Sequence, residues 1–257
     1  MRTSGDLARF RSTDMAEKIQ MGELYIGVAG LRVRMETKYP YAHKLCADFK
    51  IDACEPDMTV SASADDVNEE REGYGEVTFS EGYCEGICLY RAIAERLPAH
   101  EGFVFHGAAV TIGGKGYVFA APSGTGKTTH ISLLMKNYPD DVKIVNGDKP
   151  IIRKIGGEWR VCSTPWAGKE GWKVNATAPL CGIILVERAE ENLMTRVSPE
   201  ENFDAVIRQV YIPKDAEACM QTLSLVDEMA KNVAFYRLGC NMHNSAAECS
   251  YNALNGN

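Results

Sequence analysis

Residues 117–131 of this 257-residue chain combine a candidate phosphate-binding loop with the elements that such a loop needs. An apolar strand at 117–120 leads into a glycine-bearing turn that ends in Gly126-Lys127-Thr128, and a helix with periodic apolar residues follows. In a loop of this type, main-chain N–H groups surround a phosphate at the helix N-terminus, where the helix dipole also favours negative charge. The sequence therefore predicts a P-loop (Walker A motif) that binds the phosphates of a nucleotide.

Individual residues of this loop have distinct predicted roles. Lys127 is expected to reach the β- and γ-phosphates, and the Thr128 hydroxyl is expected to ligate Mg²⁺. The usual motif opens with glycine, but this chain has Ala121, which is compatible with the motif if the residue keeps a negative φ. The alternative interpretation is a glycine-rich turn that binds nothing. The predicted phosphate-binding residues are Ser123, Gly124, Thr125, Gly126, Lys127, Thr128 and Thr129.

A carboxylate stands where a P-loop enzyme needs one. Asp148 comes 21 residues after Lys127, at the end of the next apolar strand. P-loop nucleotide enzymes place a carboxylate there, facing Mg²⁺ directly or through water. Asp148 is therefore predicted to be a metal ligand together with Thr128, and a catalytic residue. The alternative is a turn aspartate, because Asn-Gly-Asp is a composition that turns favour.

Two further positions are candidates for the transfer site. Lys169 lies in the segment 163–172, which holds two tryptophans and two glycines, and it could neutralise a transferring phosphoryl group or hold an acidic substrate. Alternatively, the tryptophans close the core and Lys169 is solvated. His106 lies on a predicted strand before the P-loop strand, and it is expected near the γ-phosphate if those strands pair. A structural role for His106 is the alternative.

Composition excludes several classes of protein. The net charge of −7 and the pI near 5.4 argue against a large nucleic-acid surface, which would need a basic stripe. No apolar run approaches the roughly 20 residues that span a bilayer, so no membrane partner is expected. The nine cysteines are odd in number and scattered, and residues 1–20 lack the apolar segment of a signal peptide. These features predict reduced thiols and a cytoplasmic location.

The elements around these residues predict a mobile leader at 1–20, a small β-rich domain at 21–97 and an α/β domain at 98–257. The first domain is expected to have strands at 31–36, 59–62 and 76–79, an exposed loop at 65–75 and a helix at 80–96. The second is expected to have strands at 103–106, 115–120, 142–145, 181–186 and 234–238, a hairpin of 151–154 with 159–162, a helix after the P-loop that ends near 138, and helices at 220–232 and 245–254.

Three stretches in order, at 105–110, 123–128 and 145–148, resemble the HPr kinase/phosphorylase family. Members of that family show a His-Gly strand, a Ser-Gly-x-Gly-Lys-Ser/Thr loop and an apolar strand that ends in paired aspartates. The loop also resembles that of phosphoenolpyruvate carboxykinase. Within the broader group, the chain looks most like bacterial HPr-kinase-like proteins that carry Thr-Pro-Trp-x-Gly-Lys after the core. The likeness covers about 102–150 well and 180–257 only in element order.

The resemblance implies an α/β fold with a mixed sheet around the P-loop, and it implies that His106, Lys127, Thr128 and Asp148 occupy active-site positions. Members of the family phosphorylate a serine hydroxyl on a protein with ATP and Mg²⁺. This chain departs from the family pattern, because Gly147-Asp148-Lys149 holds one carboxylate where the family has two. That departure puts the reverse phosphorylase reaction and the HPr substrate in doubt.

The sequence thus favours an ATP- and Mg²⁺-dependent kinase that phosphorylates a hydroxyl on a protein, a peptide or a small molecule. Lys127, Asp148, His106 and Lys169 are its predicted catalytic residues. A nucleotide-binding regulator without transfer is the second hypothesis, and a carboxykinase-like lyase is the third. The sequence leaves the oligomeric state open, a homo-oligomer included.

Overall fold

Alternating apolar and polar residues at 31–36 form the expected strand in the computed structural model, which describes residues 22–74, 77–122 and 124–256. This strand, β2 (Leu31–Thr37), pairs antiparallel with β1 (Gly22–Val28) and parallel with β3 (Met58–Ser61). The three strands form a small separate sheet. The chain divides into two compact units, and the first of them ends at Arg96 and contains this sheet. The predicted leader at 1–20 lies outside the described residues.

The described part of the first unit also contains the α-helices α1 (Pro40–Leu45), α2 (Ala64–Glu72) and α3 (Glu81–Arg96). The helix predicted at 80–96 is confirmed by α3. The prediction of an exposed loop at 65–75 is wrong, because most of that segment belongs to α2. A capping box begins this helix: the Asp66 N–H donates to the Ser63 side chain, and the Ser63 N–H donates to the Asp66 carboxylate.

The strand expected at 76–79 is absent at 77–79, and residue 76 lies outside the described residues. Phe79 instead packs its ring against Tyr74 and Tyr83, with ring centroids 4.5 and 4.6 Å apart. This aromatic cluster fixes the entry to α3. The description of the first domain as β-rich was therefore wrong in part, since its helices hold more residues than its strands.

The second unit, from Leu97, is built on a nine-stranded mixed sheet. Seven strands follow the order β4-β8-β9-β10-β6-β5-β7, and β12 pairs with both β10 and β11. The predicted α/β architecture with a mixed sheet is thereby confirmed. The strands are β4 (Gly102–Val104), β5 (Ala108–Ile112), β6 (Lys115–Ala120), β7 (Val142–Asn146), β8 (Ile151–Ile155), β9 (Glu158–Cys162), β10 (Thr177–Arg188), β11 (Leu193–Val197) and β12 (Ala234–Cys240).

The long strand β10 organises this sheet. Its first residues pair antiparallel with β9, and from Leu180 onward it pairs parallel with β6. Its last seven residues also pair parallel with β12. The run Gly-Ile-Ile-Leu-Val at 182–186 is almost continuously apolar, as expected for a strand covered on both faces. Because β6, β10 and β12 run parallel, their carboxyl ends lie at the same edge of the sheet.

Helices cover both faces of this sheet. The apolar residues of α6 (Ala216–Asn232) pack with the core of one face, next to the short α5 (Phe203–Ile207). On the other face, α4 (Lys127–Asn137) and α7 (Asn244–Asn255) pack Ile131, Leu134 and Leu254 against β5, β6 and β10. The predicted helices at 220–232 and 245–254 and the helix that ends near 138 are confirmed. The helix α4 is thereby held at a fixed position relative to the end of β6.

The sequence did not predict β5, and this changes the place of His106. The strand expected at 103–106 ends at Val104, Phe105 makes only an isolated bridge to Val210, and His106 lies in the connection to β5. The change occurs at Gly107, where an added Cβ would lie 2.7 Å from Val118 Cγ1 and 3.0 Å from the Phe119 carbonyl oxygen. The chain passes here from pairing with β8 to pairing with β6 and β7.

Across the residues that the structure describes, none of the helices combines the length and the apolar character that crossing a membrane requires.

Docking of α4 can be tested with two adjacent leucines. Leu134 is fully buried against the sheet, whereas Leu133 is only partly buried. We expect Leu134→Ala to lower the free energy of unfolding by about 2–5 kcal/mol, because it leaves a cavity in the core. Leu133→Ala, the matched control, is expected to cost clearly less. Urea denaturation of the two variants measures the difference, and equal losses would contradict the described orientation of α4.

Candidate functional site

Strand pairing gathers the predicted site residues at one edge of the second sheet. The strand β5 runs antiparallel to both β6 and β7, so its beginning lies beside the ends of those two strands. His106 precedes β5, the glycine loop (the described residues 121–122 and 124–126) follows β6, and Asp148 follows β7. The Gly107 N–H donates to the Asp148 carbonyl oxygen at 3.0 Å, which ties two of these ends together.

His106 and Asp148 are in direct contact. His106 Nε2 lies 3.2 Å from Asp148 Oδ1, and both side chains are partly exposed, at 37% and 30%. A carboxylate can only accept, so this contact makes Nε2 the donor, and Nδ1 is the acceptor of a neutral ring. Burial tends to raise the pKa of Asp148, but the His106 hydrogen bond and the charges of Lys149 and Lys127 outweigh it and hold the pKa below its usual value. Asp148 is therefore ionised at neutral pH.

Lys127 is the first residue of α4 and is half-buried. Burial lowers its pKa, the charges of Asp148 and Glu170 oppose that effect, and the charge of Lys149 adds to it. The net result is a lysine whose charged form is less favoured than in water. An anion placed beside this ammonium would therefore be bound more strongly than at an exposed lysine.

The glycine loop has positive φ at two of its glycines. Gly124 and Gly126 have φ values of 81° and 116°, and there is open space where a Cβ would stand at each. Glycine is needed here for its conformation. Ala121 is buried and is not among the described non-glycine residues with positive φ, which meets the condition set for alanine at this position. Gly126 is the N-cap of α4, and among the described residues no side-chain hydrogen bond caps this end of the helix.

The predicted phosphate-binding residues follow this loop into the helix. Thr125 folds back on Pro122, because both its N–H and its hydroxyl donate to the Pro122 carbonyl oxygen. Thr128 and Thr129 are the second and third residues of α4, half-buried and exposed respectively. Ser123 lies outside the described residues. The role of each as a phosphate or metal ligand stays a prediction.

Asn146, which was not predicted as a site residue, positions Asp148. Its side chain is fully buried, and its Oδ1 accepts from the N–H groups of Asp148 and Lys149 at 2.9 and 2.7 Å. Its Nδ2 donates to the carbonyl oxygens of Thr164 and Trp166. The Asx-type turn at Asn-Gly-Asp is the sequence signal for the first pair of bonds. The second pair is long-range and leaves no local signal.

Close packing surrounds Gly147, so a side chain at this position would crowd its neighbours. An added Cβ would lie 3.0 Å from the Ala167 carbonyl oxygen and 3.2 Å from Trp172 Cβ. The segment 163–172 therefore occupies the space that a side chain at this position would need. Asp148 is the carboxylate available at the end of β7.

The same segment also contacts Asp148. Gly168 has a φ of 72°, and a Cβ added there would lie 3.0 Å from Asp148 Cβ. Trp166 is buried, and the partly buried Trp172 packs against the core. Both tryptophans therefore contribute to the core, which was the alternative interpretation of this segment. Lys169 is exposed on the turn that follows Gly168, one residue beyond the contact with Asp148. Its catalytic role remains a prediction.

His130, the other histidine near the loop, is part of the core packing. His130 is buried on α4, its Nε2 lies 2.9 Å from Ser250 Oγ, and its ring lies against Phe119. Burial lowers the pKa of His130 to about 4, so it is neutral at physiological pH. Within the described ranges, no group of three or more His, Cys, Asp or Glu side chains is arranged to hold a metal ion. A Mg²⁺ ion here would depend on Asp148, Thr128 and phosphate oxygens.

Comparison with known proteins gives a distant structural likeness. No protein-family profile matches this chain, and no curated protein matches it in sequence. The solved structure of the Hpr(Ser) kinase/phosphatase from Coxiella burnetii is similar over 60% of this chain and 97% of its own, with 10% sequence identity and a TM-score of 0.36. This is a distant structural similarity.

Loss of the Asn146 side chain tests how Asp148 is held. Asn146→Ala leaves the N–H groups of Asp148 and Lys149 and two carbonyl oxygens without their partner, so we expect the free energy of unfolding to fall by about 2–4 kcal/mol. Asn252→Ala, on the exposed side of α7, is the control and should change it by less than about 0.5 kcal/mol. Chemical denaturation measures both. Equally small losses of unfolding free energy in both variants would show that the Asn146 network is not formed in solution.

The contact between His106 and Asp148 predicts a pH effect. His106→Ala should raise the pKa of Asp148, because the hydrogen bond to its ionised form is lost. With its lowered pKa, Asp148 contributes stability that is present above the usual aspartate pKa of about 4 and is lost as pH falls through the folded value. In the variant this contribution should be smaller, and its loss should be complete at a higher pH. Carbon-detected NMR titration, assigned with Asp148→Asn, measures the shift, and the exposed His243→Ala is the control. An unchanged Asp148 titration in His106→Ala would refute the hydrogen bond.

Proposed function

We propose that this protein is an ATP- and Mg²⁺-dependent kinase that transfers the γ-phosphoryl group to a hydroxyl on a protein, a peptide or a small molecule. The observation that supports it best is the position of the half-buried Lys127 at the first turn of α4, directly after two glycines with positive φ and within the electrostatic reach of Asp148. Phosphoryl transfer depends mainly on positioning and on neutralising charge, and this arrangement suits both.

The residues at this edge of the sheet fit ATP and Mg²⁺. The uncapped N-terminus of α4 offers N–H donors, and the positive φ of Gly124 and Gly126 lets the main chain approach phosphate. Asp148 is held ionised, which suits a hard cation, and Thr128 adds a hydroxyl at the second residue of the helix. When bound, the nucleotide supplies the phosphoryl group and Mg²⁺ neutralises its charge.

With one carboxylate at the end of β7, the proton chemistry is divided between two residues. Asp148 would serve as the metal ligand, since its lowered pKa makes it a weak base. His106 would accept the proton of the acceptor hydroxyl at Nδ1, because its Nε2–H is donated to Asp148 Oδ1. Lys169, on the turn that follows Gly168, would help to neutralise the acceptor side. Asn146 would keep Asp148 in place.

A second candidate is a nucleotide-dependent regulator that binds ATP without transfer. The close packing at Gly147 favours it, since a carboxylate side chain at that position would crowd the Ala167 carbonyl oxygen and Trp172. The two candidates differ in what Asp148 and His106 do. A regulator would keep its ATP affinity in Asp148→Ala and show no turnover, whereas a kinase would lose transfer in Asp148→Asn and in His106→Ala.

Lys127→Met separates binding from stability. The variant removes a half-buried, partly desolvated charge and keeps the length of the side chain, so its thermal unfolding midpoint should be retained or raised. Its affinity for ATP should fall at least about tenfold, because a charge-assisted contact with phosphate is lost. Calorimetry with ATP, ADP and Mg²⁺ measures binding, and Lys115→Met, an exposed lysine at the start of β6, is the control.

Transfer is tested with labelled ATP, Mg²⁺ and fractions of cell extract. The wild type should label an acceptor, and Lys127→Met should not. Tight binding of ATP by the wild type with no transfer to any fraction would reject the kinase and support the regulator. Absence of nucleotide binding by the wild type would reject both.

A further inference from the structure

Arg188 contacts the glycine loop from the neighbouring strand. It is the last residue of β10, whose pairing with β6 ends at Leu185 and Ala120, so Arg188 lies beyond the end of β6. Its Nε donates to the Thr125 carbonyl oxygen at 3.2 Å, and its Nη2 donates to the Gly124 carbonyl oxygen. A planar guanidinium can hold two such acceptors at once, which a lysine ammonium does less precisely.

These two bonds fix the orientation of two consecutive peptide groups. In a trans peptide the C=O and N–H groups point in opposite directions. Because the Gly124 and Thr125 carbonyl groups face Arg188, the N–H groups of Thr125 and Gly126 face away from it. The Thr125 N–H accordingly donates to Pro122 within the loop. The Gly126 N–H then lies on the side of the loop opposite the guanidinium.

We propose that Arg188 is a positioning residue that pre-organises the glycine loop for nucleotide. This inference rests on the proposed nucleotide site. Its guanidinium is engaged with main-chain carbonyl groups, so it acts on the loop and does not serve as a transition-state cation. The preceding residue, Glu187, lies 3.6 Å from Arg237 on β12, which places its side chain away from the loop. Arg188 neutralises the carbonyl side of the loop and leaves the amide side for phosphate.

Arg188→Ala and Arg188→Lys test this role, with Arg160→Ala as the matched control. Arg160 is a partly exposed arginine on β9, paired with Glu158 and located beside the opposite end of β10. Calorimetry should show ATP binding weakened by about 10- to 100-fold in Arg188→Ala, with an intermediate loss in Arg188→Lys and no change in Arg160→Ala. The thermal unfolding midpoints should stay close to that of the wild type, because the side chain is exposed.

Amide hydrogen exchange without nucleotide separates positioning from direct contact. In Arg188→Ala, exchange should become faster at 124–129 and stay unchanged in α6, and methylguanidinium should partly restore both protection and ATP binding. Weakened binding with unchanged exchange would mean that Arg188 touches the nucleotide itself, and it would overturn the proposal. Wild-type affinity in Arg188→Ala, or a matching fall in the unfolding midpoint, would also overturn it. Failure of the wild type to bind ATP would overturn the proposed function and this inference together.

Discussion

The electrostatic balance around Lys127 is the constraint on which the candidate site depends. An ammonium group withdrawn from water costs free energy unless anions compensate for it. Asp148 and Glu170 compensate in part, and the lowered pKa of Lys127 shows that they do not do so fully. The fold thus keeps a cation that would be more stable with a further negative partner. A site of this kind is held in place by the packing around it, and α4 provides that packing through Ile131 and Leu134.

The carboxylate that faces this lysine is held by a buried polar network. Asn146 joins the turn after β7 to the segment 163–172, and the Thr164 hydroxyl extends the same network by donating to the Lys149 carbonyl oxygen at 2.8 Å. Every bond in such a network is strengthened by its dry surroundings, which favours one rigid arrangement. Gly147 allows the segment to approach closely. The geometry of Asp148 therefore depends on residues that lie about twenty positions later in the chain.

The sequence predicted local features well and long-range features poorly. The strand, glycine turn and helix around Lys127 are adjacent in the chain. Each has a local sequence signal, which is apolar periodicity in the strand and helix and glycine in the turn. The pairing of β5 with both β6 and β7 has no local signal, and this pairing brings His106 to Asp148. The helix α2 was missed because its polar sequence resembles a loop, although the Ser63–Asp66 capping box is readable. The bonds of Arg188 and the packing of Gly147 arise only from tertiary structure.

The connection between β6 and β10 has a consequence for biosynthesis. Thr125 and Arg188 are 63 residues apart, and β10 is the strand that pairs with one edge of β6. A ribosome produces the N-terminal residues first, so β6 emerges well before this partner does. Until β10 emerges, an apolar strand has one unpaired side, which is a hazard for association between nascent chains. Contacts of such high sequence separation also form slowly, so the glycine loop is expected to acquire its final shape late in folding.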